Sequence, residues 1–483
     1  MRLINARLFV GISILGTIVF QSGSTAWADA RDHYLRKFYE ARKQAEMFPF
    51  LGEVESSAIT ATFDQNIDPS DPKDPRTFKQ RYFYNSNYAE GVDAPVFLFV
   101  CGEGACSSSD LNGSIQELAK TFKAHLIALE HRYYGKSQPF AQLTSENLKY
   151  LKTEFALGDL VRFKKFAVKK HDLHGKWILF GGSYPGSLSA FARALYPDHF
   201  AGSLASSAPV RAKENFEEYD LHVAKMLGAE CAGKVRVIVS QIEKAMSNPK
   251  EFSKIKEEFE VSEIKDPRDL FSVAADMAAI SVQYGRRQEF CDGLDLYGTR
   301  AISSYAETGV RLLSNFGIRP IQLTPQGAES LNPNDYLSFA GMRQWAYQVC
   351  TEYGFFQNAF HEQGRSARSQ LVNMDYQRSV CQRLFGITSP VDIEKTNLQF
   401  YEPIVAGVTP QRPRASRIFF TNGSIDPWSL LSLLPNQVPA LNPDLDSYLI
   451  PGASHCEDIG SSSKPEVMKA QRTLENLIRQ WLN

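Results

Sequence analysis

One short run of the sequence, residues 177–186, constrains the fold more than any other. It reads Trp-Ile-Leu-Phe-Gly-Gly-Ser-Tyr-Pro-Gly, so an apolar strand leads directly into Ser183, and a helical pattern over residues 187–196 follows at once. A strand, a sharp turn and a helix in this order are typical of a nucleophile elbow, where glycines fit the strained turn and the serine hydroxyl stands above the sheet. The run departs from the usual G-x-S-x-G pattern, because Pro185 replaces its last glycine and Gly186 comes one residue later.

Two residues near the C-terminus would complete a catalytic triad with Ser183. His455 is the only histidine in the last quarter of the chain, and it follows the strand-like run 447–450. Asp426 follows another strand-like run, residues 417–420. In α/β-hydrolases the chain order is serine, acid, histidine, and loops at the carboxyl ends of neighbouring parallel strands converge. We therefore predict Ser183 as nucleophile, Asp426 as acid and His455 as base.

The rest of the chain divides into stretches of different pattern. Short apolar runs at 95–100, 126–129 and 202–205 alternate with helical patterns and predict a mostly parallel sheet. The middle of the chain instead carries charged helical patterns and few strand signals. We predict an α/β fold, namely an α/β-hydrolase core with a helical cap domain inserted between nucleophile and acid. The predicted boundaries are a signal peptide at 1–28, the first part of the core at 29–210, the cap at 211–400 and the second part of the core at 401–483.

The N-terminus has the pattern of a secretory signal peptide. Arg2 and Arg7 precede a nearly apolar run over residues 8–20, and Ala-Trp-Ala at 26–28 offers a small-x-small cleavage site. The apolar run is short for a membrane span, which needs about 20 residues. The sequence therefore predicts a secreted or periplasmic protein whose mature chain starts near Asp29.

The seven cysteines agree with export, because an oxidising compartment allows up to three bridges and one remaining thiol. Pairs that are local in sequence would be Cys350 with Cys381 and Cys231 with Cys291. Spacing alone does not determine the pairing, so these bridges are hypotheses.

Several further motifs identify a family. They are the runs 62–65 and 78–83, Gly-Glu-Gly at 102–104, Glu-His-Arg-Tyr-Tyr-Gly-Lys-Ser at 130–137, Ala-Ser-Ser-Ala-Pro-Val at 205–210, Asn-Gly-Ser-Ile-Asp-Pro-Trp at 422–428 and Gly-Ala-Ser-His at 452–455. From about Thr62 onward the chain resembles the serine peptidases that include prolyl carboxypeptidase, dipeptidyl peptidase II and thymus-specific serine protease, and residues 184–187 look closest to the thymus-specific branch. The resemblance implies an α/β-hydrolase core with a helical cap. It also implies a peptidase that acts near chain ends, often after proline and with a preference for acidic pH.

The chemistry of a serine triad assigns expected roles to four more residues. The backbone N–H of Tyr184 is one predicted oxyanion donor, and the loop after the strand at 97–100 supplies the second, for which we favour Glu103. Trp428 would line the pocket for the residue before the scissile bond, with packing in the core as the alternative. Glu352 would pair with a free amine of the substrate, with a structural ion pair as the alternative.

The sequence thus predicts a serine-type exopeptidase that hydrolyses peptide substrates through an acyl-enzyme, without a metal or an organic cofactor. An esterase or lipase is one alternative, because triad chemistry is shared across this fold. A catalytically silent secreted binding protein is another. The net charge of −1 and the lack of a basic run indicate no nucleic-acid partner. We expect no membrane partner, and a homodimer is left open.

Overall fold

The computed structural model describes residues 58–295, 300–335, 341–407 and 414–483. The predicted signal peptide lies outside the described residues. The strands, in chain order, are β1 Ile59–Asn66, β2 Thr77–Asn85, β3 Val96–Val100, β4 His125–Leu129, β5 Trp177–Gly182, β6 Gly202–Ser206, β7 Lys213–Asn215, β8 Gly354–Phe356, β9 Ile418–Gly423 and β10 Asp446–Ile450.

Eight of these strands form one sheet in the order β1-β2-β4-β3-β5-β6-β9-β10. The pairs from β4 to β10 are all parallel, whereas β1 pairs with β2 and β2 with β4 in antiparallel fashion. Helices cover both faces of a parallel sheet, so its central strands are continuous apolar runs. Both β4 and β6 are accordingly buried along their whole length. The fold is an α/β-hydrolase core, as the sequence predicts.

The helices vary from single turns to five turns. In chain order they are α1 Ser114–Phe122, α2 Ser145–Leu148, α3 Thr153–His171, α4 Tyr184–Leu195, α5 Glu217–Leu227, α6 Ala229–Ala245, α7 Pro249–Glu258, α8 Arg268–Gln283, α9 Arg287–Asp292, α10 Ala301–Asn315, α11 Met342–Gln348, α12 Met374–Phe385, α13 Ile393–Thr396, α14 Glu402–Val405, α15 Val438–Leu441 and α16 Pro465–Leu482.

Helices α5 to α13 lie in the stretch 211–400, which we call the inserted helical segment. Its described part also holds the short parallel pair β7–β8, which the sequence pattern does not predict. Apolar side chains of this segment, such as Val223 and Leu270, belong to the same buried cluster as Leu98 and Leu179 of the central strands. The inserted helical segment therefore shares its hydrophobic core with the sheet, and the division into core and cap domains remains a prediction.

Three disulfides cross-link the described part of the chain. Cys231–Cys291 and Cys350–Cys381 both lie within the inserted helical segment, and these two predicted pairings are confirmed. The third bridge, Cys101–Cys106, closes a short loop directly after β3 and has no counterpart among the predicted pairs. Cys456 keeps a free thiol. Among the described residues, none of the helices combines the length and apolar character needed to cross a lipid bilayer.

A buried ion pair braces the loop that follows β4. The Arg132 side chain is fully buried, and its Nε and Nη2 donate to the two carboxylate oxygens of Asp159 on α3 at 2.7 and 2.6 Å. Its remaining N–H groups donate to the backbone oxygens of Asn66, Ile67 and Tyr150 at 3.0–3.1 Å. One guanidinium thus links the β1–β2 turn, the loop after β4 and the start of α3. Such a pair is costly to break, because the partner left behind is a buried, uncompensated charge.

We expect Asp159→Asn to lower the free energy of unfolding by about 3–5 kcal/mol, because it leaves the Arg132 charge buried without its counterion. The exposed pair Asp64–Lys79, with 2.8 Å between its charged atoms, provides a matched control. Asp64→Asn should change that free energy by about 1 kcal/mol or less. Urea unfolding followed by far-UV circular dichroism measures both variants. If both variants changed the free energy of unfolding by the same small amount, the buried ion pair would not be a stabilising contact of this loop.

Candidate active site

Ser183 lies in the strained turn that the sequence predicts. It follows β5 directly and precedes the first residue of α4, with φ +63° and ψ −134°. Its backbone N–H donates to the oxygen of Ser206 at the end of β6, at 2.9 Å. A non-glycine residue pays for a positive φ of this kind, and such strain persists only where the surroundings enforce it. The turn therefore holds Ser183 at the carboxyl end of the central strands.

The departure from the G-x-S-x-G pattern has a packing reason. The ring of Pro185 lies against the loop that follows β3, where a Cβ placed on Gly102 would be 2.2 Å from the proline Cγ. Gly186 is the position at which α4 crosses β6, because a Cβ there would be 2.8 Å from the oxygen of Ser206. The small residue that this fold needs at the crossing is therefore displaced by one position. Proline in the first turn of a helix loses no hydrogen bond.

Asp426 and His455 come together at the same edge of the sheet. Asp426 lies on the loop after β9 and is fully buried, and its Oδ2 is 2.8 Å from Nδ1 of His455, on the loop after β10. Its Oδ1 accepts the backbone N–H of Trp428 at 3.0 Å, which fixes the carboxylate in the turn. Burial lowers the pKa of His455, but the Asp426 carboxylate and the neighbouring Cys456 together outweigh it and raise that pKa well above its usual range. A carboxylate in this position holds one imidazole tautomer and stabilises the imidazolium.

The loop that carries His455 is anchored on the ends of β6 and β9. Both carboxylate oxygens of the buried Asp458 accept hydroxyl hydrogen bonds, from Ser206 at 2.5 Å and from Thr421 at 2.7 Å. The N–H of Cys456 donates to Oγ of Ser207 at 2.9 Å. Since the N–H of Ser183 also bonds to Ser206, the end of β6 supports both the elbow and the histidine loop.

The predicted oxyanion residues lie on the two segments that meet beside Ser183. Tyr184 is the first residue of α4, so its backbone N–H is at the helix N-terminus. Glu103 belongs to the loop after β3, which the contact between Gly102 and Pro185 places against the first turn of α4. Burial raises the pKa of the Glu103 carboxyl, and the charge of His455 acts in the opposite direction.

The side chain of Tyr184 belongs to a chain of hydrogen bonds with a defined direction. The oxygen of Arg132 only accepts, so Nδ1 of His131 carries the proton in their 2.7 Å contact. Burial lowers the pKa of His131 to about 3, so the ring is neutral and its Nε2 accepts from the Tyr184 hydroxyl at 3.1 Å. That hydroxyl in turn accepts from Nε2 of Gln348 at 2.8 Å, and Oε1 of Gln348 accepts from Tyr134 at 2.7 Å. Gln348 of the inserted helical segment thereby fixes the residue next to Ser183.

Aromatic rings connect the two halves of the site. The Trp428 ring, two residues after Asp426, is 91% buried and lies 5.4–5.7 Å, centroid to centroid, from the rings of Phe216, Tyr219 and Phe355. The series continues from Phe355 to Tyr353 and on to Tyr184, with 5.1 and 5.8 Å between centroids. An uninterrupted aromatic series thus runs from the neighbourhood of Asp426 to that of Ser183, built mainly from the inserted helical segment.

Glu352 contacts the start of α3. It lies in a π-helical turn, Val349–Tyr353, and its carboxylate accepts the backbone N–H of Thr153 at 3.0 and 3.1 Å and the Thr153 hydroxyl at 2.9 Å. A carboxylate at a helix N-terminus satisfies otherwise unpaired N–H groups. Burial nevertheless raises the pKa of Glu352 to about 7, against the opposing effect of the bonds from Thr153.

Three polar residues of the site have no signal in the sequence. Gln283 and Gln348 each end a helix of the inserted helical segment, and glutamine is ordinary in an amphipathic helix. Asp458 looks like one more acid in a polar loop. Their importance comes from contacts with residues more than 30 positions away, which no local pattern reveals.

Comparisons with known proteins show which family the chain belongs to. The family model described as serine carboxypeptidase S28 matches residues 65–475. The probable serine protease EDA2 of Arabidopsis thaliana is 35% identical over 384 residues, covering 76% of this chain and 74% of the relative. Thymus-specific serine protease of Mus musculus is 30% identical over 453 residues, covering 87% of this chain and 86% of the relative. The crystal structure of proline iminopeptidase from Mycobacterium smegmatis aligns with a TM-score of 0.40 and 10% identity, over 87% of this chain and 99% of that one.

The raised pKa of Glu352 predicts a pH dependence of stability. Between the ordinary value of 4.5 and about 7 the unfolded chain ionises this carboxyl while the folded protein keeps the proton. The free energy of unfolding therefore falls as pH rises through that window. We expect Glu352→Gln to show a smaller drop in melting temperature between pH 5 and pH 7.5 than the parent does.

Differential scanning fluorimetry at a series of pH values makes the comparison. Glu258→Gln, at an exposed position of α7, serves as the control and should show the same drop in melting temperature as the parent. If the melting temperature of Glu352→Gln fell as much between pH 5 and pH 7.5 as that of the parent, the assignment of this carboxyl as a buried, titrating group would be contradicted.

Proposed function

The chain belongs to the serine carboxypeptidase S28 family and is a serine-type peptidase; from this membership we propose that it is a secreted exopeptidase that cleaves peptides near a chain end. The observation that supports the catalytic part of the proposal is the 2.8 Å contact between the buried Asp426 and His455, at the edge of the sheet where Ser183 occupies its strained turn. We expect the enzyme to accept proline as the residue immediately before the scissile bond.

The proposed reaction uses three side chains in the roles of a serine triad. His455 takes the hydroxyl proton of Ser183 as its Oγ attacks the peptide carbonyl carbon, and Asp426 stabilises the imidazolium that results. When the tetrahedral intermediate collapses, His455 returns this proton to the departing amine and an acyl-enzyme remains. A water molecule, activated by the same imidazole, then releases the acyl group and restores Ser183.

We place the oxyanion of the tetrahedral intermediate between two segments. The N–H of Tyr184 at the start of α4 is one proposed donor, and the backbone of the Gly102–Gly104 loop, with Glu103 favoured, offers the second. The packing of Gly102 against Pro185 supports this arrangement, because it brings the loop to the first turn of α4. Loss of one such donor typically costs about 3 kcal/mol of transition-state stabilisation.

A pocket for a compact apolar side chain before the scissile bond is proposed beside Trp428, whose ring packs against this buried aromatic series. A proline ring packs well against aromatic faces, which present a large rigid surface. Trp428 is proposed as the wall of this pocket nearest to the acid, although most of its own ring is packed among other aromatic residues. The hydrogen bonds between Glu352 and Thr153 favour a structural role for Glu352 over a role in binding a substrate amine.

Secretion is supported by the three disulfides, because such bridges persist in oxidising compartments and are rare in the cytosol. The signal-peptide pattern of the first 28 residues is the second argument for export.

Ser183→Ala tests the proposed function. Loss of the nucleophile of a triad lowers kcat by about a millionfold. Ser187→Ala is a matched control, since this serine lies one turn further along α4, is buried, and its Oγ has no hydrogen-bond partner among the described residues. It should keep activity close to that of the parent.

Mass spectrometry of a mixed peptide library, digested at pH 5 and pH 7, identifies the bonds that are cut. We expect cleavage one to three residues from a chain end, lost in Ser183→Ala and retained in Ser187→Ala. Cuts that persist in Ser183→Ala would reject the assignment of Ser183 as the nucleophile. Cuts at peptide bonds far from either chain end would reject the proposal that the protein is an exopeptidase. Hydrolysis of esters without any peptide cleavage would favour the esterase alternative.

A further inference from the structure

The last residue of α8 touches both halves of the proposed catalytic centre. Gln283 ends this helix within the inserted helical segment. Its backbone oxygen accepts the N–H of His455 at 2.9 Å. Its side-chain Oε1 accepts Nε1–H of Trp428 at 3.1 Å, two residues after Asp426. One residue from outside the strand loops therefore contacts the loop of the base and the loop of the acid.

The orientation of the Gln283 amide is determined by its partners. The indole Nε1 of Trp428 can only donate, so the group that faces it is the amide oxygen. The same oxygen accepts the hydroxyl of Tyr219 at 2.8 Å, and the rings of Tyr219 and Trp428 meet edge to face at 5.4 Å. Two donors from two elements thus converge on one acceptor. Replacing that acceptor by an apolar group would leave both donors buried and unpaired.

The residue after Gln283 extends the contact to the imidazole itself. The ring of Tyr284 meets the ring of His455 edge to face, at 6.0 Å and 88°. The end of α8 therefore meets the histidine loop through one backbone hydrogen bond and one ring contact. The side chain of Gln283 thus contacts the loop of Asp426, and its backbone contacts the loop of His455.

We propose that Gln283 is a positioning residue of the catalytic centre, which holds Trp428 as a wall of the pocket and His455 in its loop. The proposal rests on the proposed function, because it assigns Trp428 to the pocket for the residue before the scissile bond. Gln283 acts through these neighbours and needs no contact with the reacting atoms. A consequence is that Gln283 affects discrimination between substrates that fill the pocket and substrates that leave it empty.

Two variants separate the acceptor oxygen from the bulk of the side chain. Gln283→Met keeps the length and removes the oxygen, whereas Gln283→Glu keeps an acceptor for Trp428 and Tyr219. The substrates are two peptides that differ only in having proline or alanine before the scissile bond. We expect Gln283→Met to lower kcat/KM for the proline peptide about tenfold, as for a lost hydrogen bond of about 1.4 kcal/mol, and for the alanine peptide by less than about threefold. Gln283→Glu should recover most of the loss.

A double-mutant cycle with Trp428→Phe tests the route of the effect. Phenylalanine keeps an aromatic face and lacks the indole N–H, so Gln283→Met should cost less in this background than in the parent. An equal loss for both peptides, no recovery in Gln283→Glu, or full additivity with Trp428→Phe would overturn the proposal. Circular dichroism and melting temperature show whether each variant is folded.

The labelling rate with a fluorophosphonate that carries a proline ring, and so fills the pocket, distinguishes failure of this proposal from failure of the proposed function. The probe reacts with an activated serine whether or not the protein cleaves peptides. If no peptide is cleaved by the parent, the proposed exopeptidase fails. Slower labelling of Gln283→Met, restored in Gln283→Glu, would still support Gln283 as a positioning residue. Equal labelling rates in the parent and both variants would reject that role.

Discussion

The buried hydrogen bond between Asp426 and His455 is the contact on which the rest of the site depends. Both residues lie on loops, and only the adjacent parallel strands β9 and β10 bring those loops together. The approach is so close that a Cβ on Gly423, at the end of β9, would lie 2.4 Å from the oxygens of Ala453 and Ser454. A side chain at this position would separate the acid from the base. The parallel sheet is therefore the physical origin of the contact between Asp426 and His455.

The inserted helical segment does more than cover that edge of the sheet. Gln348 bonds to the side chain of Tyr184, next to Ser183, and Gln283 bonds to the loops that carry Asp426 and His455. Each amide satisfies groups that would otherwise be buried without partners, and such losses are costly in a low-dielectric interior. The hydrophobic core is continuous between sheet and segment. Docking of the segment and assembly of the site are therefore coupled in this account.

Much of the fold follows from the sequence, because short apolar runs and turn residues are local signals. The runs at 95–100, 126–129, 177–180 and 202–205 correspond to β3, β4, β5 and β6, and the strained turn forms at the glycine-flanked Ser183, as predicted, despite Pro185. The convergence of Asp426 and His455 follows from topology alone. The two predicted disulfide pairs are confirmed, whereas Cys101–Cys106, the pair closest in sequence, is not among the predictions because spacing does not determine pairing.

The polar supports of the site could not be predicted in the same way. Gln283, Gln348 and Asp458 act through partners that are distant in the chain, and a helical glutamine or a loop aspartate carries no mark of such a contact. The burial of Trp428 among three aromatic rings, and the contact of Glu352 with Thr153, likewise depend on how the inserted helical segment packs. Strand loops are thus predictable from topology, and the side chains that orient them require the folded structure.

The most direct test of the central claim is to map the covalent adduct of a fluorophosphonate by mass spectrometry after proteolysis. The account predicts one modified peptide, which contains Ser183, and loss of this adduct in His455→Ala because the serine then lacks its base. An adduct on a different residue, or undiminished labelling of Ser183 in His455→Ala, would contradict it.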